Sequence, residues 1–330
     1  MNVYPFRTRP VVERAPWGRA AWPFPIGADG ADIAAIRLLD ADLACDDNGQ
    51  SVRDRTGAWA ADLLGRAAPM GRIPYMARWL GASADSPIHI TPAGGAHKIW
   101  YIVDADEGTH ILRGLRPGAT LEEVLSAPSE VDARALLQPI SVRRGQCHYI
   151  APGQPHAMGP DVVVAEIQST DAPSAAREAH RDTALAAHAF EAPDLGTIEK
   201  KSHVTSLFTT VTRLITTPDL YVERVRFLGE LDQEIPYAEL VCWLVLEGTG
   251  TVLHDRNASL PFKPGDCVVL PANMRDAKLR TDTDCVWLEI TIPVESDLAA
   301  YPRPDAEYLR ANEGTANHPI PLNISINKKK

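Results

Sequence analysis

The sequence predicts a mainly β protein made of two β-barrel units, with a few helices inserted in and after the first barrel. Three observations lead to this prediction: short segments of β character, frequent turn residues between them, and a pattern that repeats in the second half of the chain. The 27 prolines and 22 glycines divide the chain into short segments. Short strands separated by turn residues are typical of sandwiches and barrels.

In the first half of the chain, five segments have the composition of strands. They are 86–91 (SPIHIT), 98–103 (KIWYIV), 139–143 (PISVR), 146–150 (QCHYI) and 161–168 (DVVVAEIQ). Four other segments carry apolar residues at i, i+3 and i+4, the spacing of a helix with one buried face. They are 58–67, 121–127, 129–137 and 174–190. We expect Ser129 and Asp132 to cap and charge the start of the third helix.

A second β-rich region follows a polar stretch at 191–205. It contains YVERVRFLGE, ELVCWLVLEGTGTVLH, LPFKPGDCVVLPA and DCVWLEITIP. The segment 264–272 repeats the glycine, apolar strand and Pro-containing turn of the first region, which indicates two related barrels. We therefore predict two domains, 1–198 with the candidate site and 199–330 without metal ligands. The second copy has no histidine where the first has His156.

Composition indicates a soluble globular protein and disfavours two classes of partner. Charged residues make up 23% of the chain and hydrophobic residues 45%, which are ordinary values. The formal net charge of -10 disfavours nucleic acid and anionic membranes as partners. No apolar run approaches the roughly 18 residues of a membrane span. The oligomeric state stays open.

The cysteines and the first residues predict a compartment. The five cysteines are odd in number and form no C-x-x-C, which fits buried thiols in a reducing compartment. The first residues, MNVYPFRTRPVVERAPWG, contain no apolar segment of the kind found in signal peptides. We expect a cytoplasmic protein.

The segment from Gly145 to Gln168 is the most informative stretch of the chain. It predicts a strand, a tight Pro-Gly turn with His156 at its exit, and a second strand of nearly unbroken apolar residues. Proline fixes φ and glycine accepts a positive φ, so the pair suits a tight turn. A histidine held at such a corner is suited to bind a metal or to move a proton in a barrel cavity. A histidine that only caps the turn is the alternative, and the segment alone leaves both open.

Several segments, taken in order, resemble the type I mannose-6-phosphate isomerases of the shorter bacterial kind, which are double-cupin zinc enzymes. The segments are RTRPVVERAPWG, IPYMARWLGA (73–82), WYIV (100–103), PGQPHAMGPDVVVAEIQ and EGTGTV followed by KPGDCVVLPA. The resemblance covers nearly the whole chain. It implies a double cupin of two β jelly-roll barrels, zinc or another divalent metal, and a small sugar or sugar phosphate as ligand.

The positions that correspond to the family's zinc ligands differ in this chain. The resemblance places His89, Thr91, Lys98 and His156 where the family has Gln, His, Glu and His. Only His156 is unchanged. His89 replaces a glutamine but is itself a residue type that binds metals, so His89 and His156 are the candidate metal ligands. An ammonium at Lys98 in place of a carboxylate removes a ligand and adds a repelling charge. Both Lys98 and Thr91 therefore argue against a zinc site of the family's kind.

The resemblance also assigns catalytic and substrate-binding positions. Arg78 stands where the family has a lysine, and a guanidinium keeps the charge but does not titrate as a base. The family's Arg-bearing segment after the EIQ strand is shortened or lost here, and Arg177 is a candidate to replace its charge. The candidate catalytic residues are Arg78 and Lys98, and the candidate substrate-binding residues are Thr91, Trp100, Glu166 and Arg177.

Lys98 separates two hypotheses about function. If its side chain points into the barrel, it lies near His89 and His156 and can bind a phosphate or carboxylate in place of the metal. If it pairs with a neighbour such as Glu166, it only fills the space of the old site. The first hypothesis is an aldose–ketose isomerase acting on a hexose phosphate, in which a base moves a proton between C1 and C2. The alternative is a catalytically degenerate or redirected cupin that binds a sugar or small anion without zinc.

Overall fold

The computed structural model describes residues 3–91, 95–170, 208–217, 220–235, 239–255, 258–274 and 276–293, with the backbone of three short strands at 179–180, 197–198 and 203–204. The chain forms two compact units. The first unit is Thr8–Arg53 with Ile73–Glu199, and the second is Met1–Arg7 with Asp54–Arg72 and Lys200–Lys330. The predicted domains 1–198 and 199–330 differ from these units at residues 1–7, 54–72 and 199.

The fold is mainly β, as the sequence predicts. In chain order the strands are β1 (Phe6–Arg7), β2 (Val11–Arg19), β3 (Ile33–Leu39), β4 (Tyr75–Ala82), β5 (His89–Ile90), β6 (Lys98–Ala105), β7 (His110–Leu115), β8 (Leu137–Ser141), β9 (Cys147–Ile150), β10 (His156–Met158), β11 (Val162–Ser169), β12 (Ala179–His180), β13 (Thr197–Ile198), β14 (His203–Val204), β15 (Thr209–Thr216), β16 (Tyr221–Phe227), β17 (Leu231–Glu234), β18 (Val241–Glu247), β19 (Gly250–His254), β20 (Ala258–Phe262), β21 (Cys267–Leu270), β22 (Lys278–Thr281) and β23 (Cys285–Thr291). The helices are α1 (Val52–Ala58), α2 (Ala60–Leu64), α3 (Leu121–Ser126) and α4 (Glu130–Ala135), with a short 3-10 helix at Ala68–Met70. Within the described residues, no helix has the length and hydropathy needed to cross a membrane.

The first unit is a jelly roll of two antiparallel sheets. The larger sheet has the order β13-β9-β6-β11-β4-β3-β2, and the smaller has the order β12-β5-β10-β7-β8. The strand β11 lies at the centre of the larger sheet, and all eight of its residues are buried, as its apolar composition predicts. The predicted turn before β10 is also present, with Gly153 at φ 79°.

The smaller sheet of the first unit has two different faces because side chains alternate along each strand. Ile90 of β5, Ala157 of β10 and Leu112 of β7 pack in one apolar cluster with α3 and α4. Their neighbours His89 and His156 therefore lie on the opposite face. The alternation predicted around His89 in PIHIT is confirmed.

Both helices that cover this sheet have side-chain caps. Thr120 accepts a hydrogen bond from the backbone N–H of Glu123, whose side chain accepts one from the Thr120 N–H in return, so α3 begins with a capping box. Ser129 accepts from the N–H of Asp132 at the start of α4, which confirms the predicted cap. The predicted helix 58–67 is shorter and corresponds to α2. Of the predicted helix 174–190, the structure describes only Ala179–His180, and the helix prediction is wrong there because these two residues form β12 and pair with β5. The rest of that segment lies outside the described residues.

The second unit repeats the plan of the first. Its sheets have the orders β1-β21-β18-β23-β16-β15-β14 and β17-β22-β19-β20. The run β21-β18-β23-β16-β15 thus corresponds to β9-β6-β11-β4-β3 of the first unit. A tryptophan on the second strand of each run donates to a glutamate on the third. Trp100 donates to Glu166 at 2.6 Å, and Trp243 donates to Glu289 at 3.0 Å.

Candidate functional site

One row of polar residues crosses the larger sheet of the first unit. Glu166 on β11 is paired in register with Trp100 on β6 and with Arg78 on β4. Residues directly opposite each other in antiparallel strands point to the same side of the sheet. Lys98 lies two residues before Trp100 on β6 and shares that side, because the side-chain period of a strand is two. These four side chains therefore meet on one face of the sheet.

The two candidate histidines meet on the smaller sheet. His89 of β5 and His156 of β10 are register partners, and their ring centroids are 6.0 Å apart. The His156 ring packs edge-to-face with Trp100 of the other sheet, with centroids 5.3 Å apart and an interplanar angle of 78°. The Nδ1 atom of His156 lies 2.8 Å from the backbone carbonyl oxygen of Gln154. A neutral imidazole that donates from Nδ1 carries its lone pair on Nε2.

A cavity of about 220 Å³ lies against both groups of side chains. Its wall includes Arg78, His89, Lys98, Trp100, His156 and Glu166. The apolar side chains of Leu80 and Met158 also line it. The structure therefore brings together six of the eight residues that the sequence analysis proposed, and it does so from two different sheets.

The carboxylate of Glu166 is the centre of a buried hydrogen-bond network. Its Oε1 atom accepts from Nε of Arg78 at 2.6 Å, and its Oε2 atom accepts from Nε1 of Trp100 at 2.6 Å. The Nζ atom of Lys98 lies 3.9 Å from the same Oε2, which makes an ion pair but exceeds hydrogen-bond length. All four side chains are nearly or fully buried, and Arg78 is the most exposed with 12% of its side chain accessible.

Lys98 combines the two orientations that the sequence analysis treated as alternatives. It lines the cavity, and it also forms an ion pair with Glu166. Thr91 directly follows β5 and is buried, but it is not part of the cavity wall among the residues described. Arg177 lies outside the described residues.

The sequence analysis missed residues that β2 brings to the cavity. Glu13, Arg14 and Trp17 line it, although the segment that contains them was used only as part of the resemblance. Glu13 pairs with Arg37 at 2.9 Å, and Arg14 pairs with Asp32 at 2.5 Å. The alternation of charged and apolar residues in VVERAPWG was the available signal, but it does not show which cavity the strand borders.

A second pair of buried basic groups lies beyond the cavity wall. Arg113 of β7 is the register partner of His156 and is 4% exposed. His148 of β9 is the register partner of Trp100 and is fully buried. Burial, with a smaller contribution from the nearby Arg113 charge, lowers the pKa of His148 to about 4. His148 is therefore neutral at pH 7.

The donor set in the cavity does not fit a zinc ion. Catalytic zinc sites use three protein ligands together with a water or substrate, whereas the two histidines are joined by a lysine and an arginine. Glu166, which forms the ion pair with Lys98, already accepts from Arg78 and Trp100. Glu13, the other carboxylate of the cavity wall, pairs with Arg37. No group of three or more His, Cys, Asp or Glu side chains in the described part of the chain is placed to hold a metal.

The described residues of the second unit show no counterpart of this polar interior. Val241 stands two residues before Trp243, as Lys98 stands two before Trp100. Val241 and Trp243 belong to an apolar cluster that fills the unit between its sheets. The repeat therefore reproduces the tryptophan–glutamate pair but not the cationic position.

Comparison with known proteins supports the resemblance inferred from the sequence. No family model matches the chain. Two Bacillus subtilis proteins, YvyI and the mannose-6-phosphate isomerase ManA, are each 24% identical to it, over 233 and 243 residues. These matches cover 63% and 65% of this chain and 72% and 74% of the two relatives. The mannose-6-phosphate isomerase of Streptococcus mutans is 26% identical over 204 residues, which is 58% of this chain and 63% of that protein.

Solved structures confirm the fold. A mannose 6-phosphate isomerase from Bacillus subtilis superposes with a TM-score of 0.72 at 21% identity, over 87% of this chain and 99% of the other. A zinc-bound mannose 6-phosphate isomerase superposes with a TM-score of 0.67 at 13% identity, over 88% of this chain and all of the other. The double jelly roll predicted from the sequence is thus the fold of these enzymes.

Proposed function

We propose that this mannose-6-phosphate isomerase-like double cupin is an aldose–ketose isomerase of sugar phosphates and that the reaction takes place in the cavity of its first unit. One observation carries the proposal. A histidine with a defined tautomer, a second histidine and two buried cations converge on one cavity of about 220 Å³. Proton-transfer groups beside fixed positive charges are what the interconversion of an aldose and a ketose requires.

The reaction moves one proton between neighbouring carbons. A base removes the proton from C2 of the aldose while the C1 carbonyl oxygen gains a proton, which gives an enediol. The proton then returns to C1 as the C2 hydroxyl loses its own proton and becomes the carbonyl of the ketose. No electron acceptor or further reactant is consumed, so groups that donate and accept protons are sufficient for the reaction.

His156 is the group best placed to carry that proton. The Gln154 carbonyl holds its Nδ1–H, so Nε2 is the basic nitrogen. The perpendicular contact with Trp100 fixes the plane of the ring, and a base that is held in place needs little reorganisation in the transition state. His89, with its ring 6.0 Å away, is placed to exchange a proton with the second oxygen.

Arg78 and Glu166 position the other groups. The guanidinium cannot lose its proton at physiological pH, so Arg78 acts as a charge and a hydrogen-bond donor. Glu166 holds Arg78 and Trp100 through bonds of 2.6 Å each. Its role is to orient these two side chains toward the cavity.

The experiment follows hydrogen exchange as well as turnover. The full chain is incubated in D₂O with mannose 6-phosphate or fructose 6-phosphate, and NMR records interconversion and deuterium at C1 and C2. We expect both for the wild type, a fall of about 100-fold or more in His156→Ala, and wild-type rates in His254→Ala, which changes a histidine of the second unit. Wild-type protein that neither isomerises nor exchanges either substrate would refute the proposal, as would equal rates in the two variants.

A further inference from the structure

Lys98 stands at the position where the resemblance expects a carboxylate metal ligand, and its side chain lines the cavity. We infer that the ammonium of Lys98, rather than a divalent metal, supplies the positive charge of this site and binds an oxyanion at the reacting end of the ligand. The inference rests on the proposed function for the identity of the ligand, but the oxyanion site itself is argued from the geometry.

The first argument is the position of Lys98 on its strand. Lys98 begins β6 on the same face as Trp100, and its side chain is 2% exposed. Burying an ammonium is costly unless charged or polar groups surround it. The corresponding position of the second unit holds the buried apolar residue Val241, so the fold itself does not require a cation there. The cost of burying the ammonium therefore indicates a role that an apolar residue would not serve.

The second argument is the arrangement around Glu166. Arg78 and Trp100 both donate to its carboxylate at 2.6 Å, whereas Nζ of Lys98 is 3.9 Å away. The ion pair anchors the ammonium electrostatically, while the short hydrogen bonds of the carboxylate are made with other groups. An ammonium has three N–H donors, so Lys98 is suited to donate a hydrogen bond to a ligand oxygen in the cavity.

The third argument is the place of Lys98 relative to the histidines. Lys98, His89 and His156 line the same cavity. Removal of the C2 proton by a histidine builds negative charge on the C1 oxygen until that oxygen gains its proton and the enediol is complete. A fixed cation at this position stabilises the charge that develops there, as preorganised electrostatic groups do. The oxyanion is thus assigned to the reacting end of the sugar rather than to its phosphate.

The test compares two ligands that differ only at the reacting end. Arabinonate 5-phosphate carries a carboxylate where the developing charge lies, and arabinitol 5-phosphate, which is also open-chain, carries a neutral hydroxymethyl group there. Calorimetry measures both affinities for the full chain after dialysis against EDTA, and again with added zinc. The variants are Lys98→Met, which keeps length and removes charge, and Lys98→Arg, which keeps charge. The control is Lys278→Met, the same change at an exposed position of β22 in the second unit.

The EDTA-treated wild type and Lys278→Met are expected to bind the carboxylate ligand at least about tenfold more tightly than the neutral ligand, because a hydrogen bond between two charged groups is stronger than one to a hydroxyl group. Lys98→Met should lose this preference, and Lys98→Arg should keep most of it. Three results would overturn the inference: a preference that appears only with zinc, one that survives in Lys98→Met, or no preference in the wild type. Equal loss of both ligands in Lys98→Met, with loss of inorganic phosphate binding, would instead assign Lys98 to the phosphate group.

The isomerase assay separates this inference from the proposed function. A Lys98-dependent preference without any isomerisation or deuterium exchange would leave the oxyanion site in place and refute the enzyme. Isomerisation that EDTA abolishes and zinc restores, with the ligand preference intact in Lys98→Met, would support the enzyme and refute the metal-free site.

Discussion

Replacing His148 with glutamine should make the stability of the protein less sensitive to acid. His148 is fully buried on β9 of the first unit, where burial and the charge of Arg113 lower its pKa from 6.5 to about 4. In the unfolded chain the imidazole takes up a proton near pH 6.5. Between these two values the unfolded state binds more protons than the folded state, so stability falls as the pH falls.

The magnitude follows from the size of the shift. Each pKa unit corresponds to about 1.4 kcal/mol, so a change from 6.5 to about 4 represents about 3 kcal/mol of stability. This contribution is complete above pH 6.5 and is lost progressively down to pH 4. Glutamine cannot take up a proton, so His148→Gln lacks this part of the pH dependence whatever its stability at pH 7.

Urea unfolding of both proteins, followed by tryptophan fluorescence at half-unit steps from pH 7.5 to 4.5, gives the difference between them. Other groups titrate equally in both proteins. Between pH 7.5 and 4.5, the free energy of unfolding of the wild type should therefore fall by about 2 to 3 kcal/mol more than that of His148→Gln. In the wild type, the NMR signal of His148, identified by its absence from the variant, should not shift above pH 5. Parallel curves, or a His148 signal that titrates near pH 6.5, would refute the assignment of a buried neutral imidazole.

Three further outcomes are expected. Gly248→Ala should destabilise the second unit by about 3 kcal/mol, because Gly248 has φ 82° and an added Cβ would lie 2.2 Å from the Asp284 carbonyl oxygen. The control Gly57→Ala, whose added Cβ would meet no atom within 4 Å, should leave stability unchanged or increase it. Thermal melting measures both. Ser129→Ala should cost about 1 kcal/mol in urea unfolding, since it removes the α4 cap, and Ser129→Asp should retain the stability. Lys98→Glu combined with Thr91→His should bind zinc at least about tenfold more tightly than the wild type by calorimetry, and no gain in zinc affinity would mean that the cavity differs from a zinc site in shape as well as in charge.

The fold could be predicted because its signals are local. Strands such as β11 are marked by unbroken apolar residues, and turns by Pro-Gly pairs whose backbone preferences are intrinsic. The repeat at 264–272 indicated the second barrel because it copies the plan of 145–153, with positive φ at Gly145 and Gly265. Helix α4 was marked by its Ser129 cap. Each of these features depends on a few neighbouring residues.

The membership of the site was partly predictable, because the period of a strand assigns residues to faces. The alternation in PIHIT placed His89 opposite its isoleucine neighbours, and the turn at Pro152 placed His156 at a strand start. The contributions of Glu13 and Arg14 were not foreseen. They enter through β2, which joins the larger sheet by pairing with β3, and that pairing is not visible in the residues of β2 alone.

The sequence by itself determined that the chain is mainly β with two related units, because composition and turn residues are properties of the chain alone. Its resemblance to the mannose-6-phosphate isomerases implied the double jelly roll and different residues at the positions of the family's zinc ligands. Only the tertiary structure decided what replaces the ligands. Whether an ammonium enters a cavity or pairs with a carboxylate depends on strand register and on the atoms that approach from other sheets. At Lys98 the answer is both, since Glu166 lies 3.9 Å away on the neighbouring strand while the cavity lies beside the same side chain.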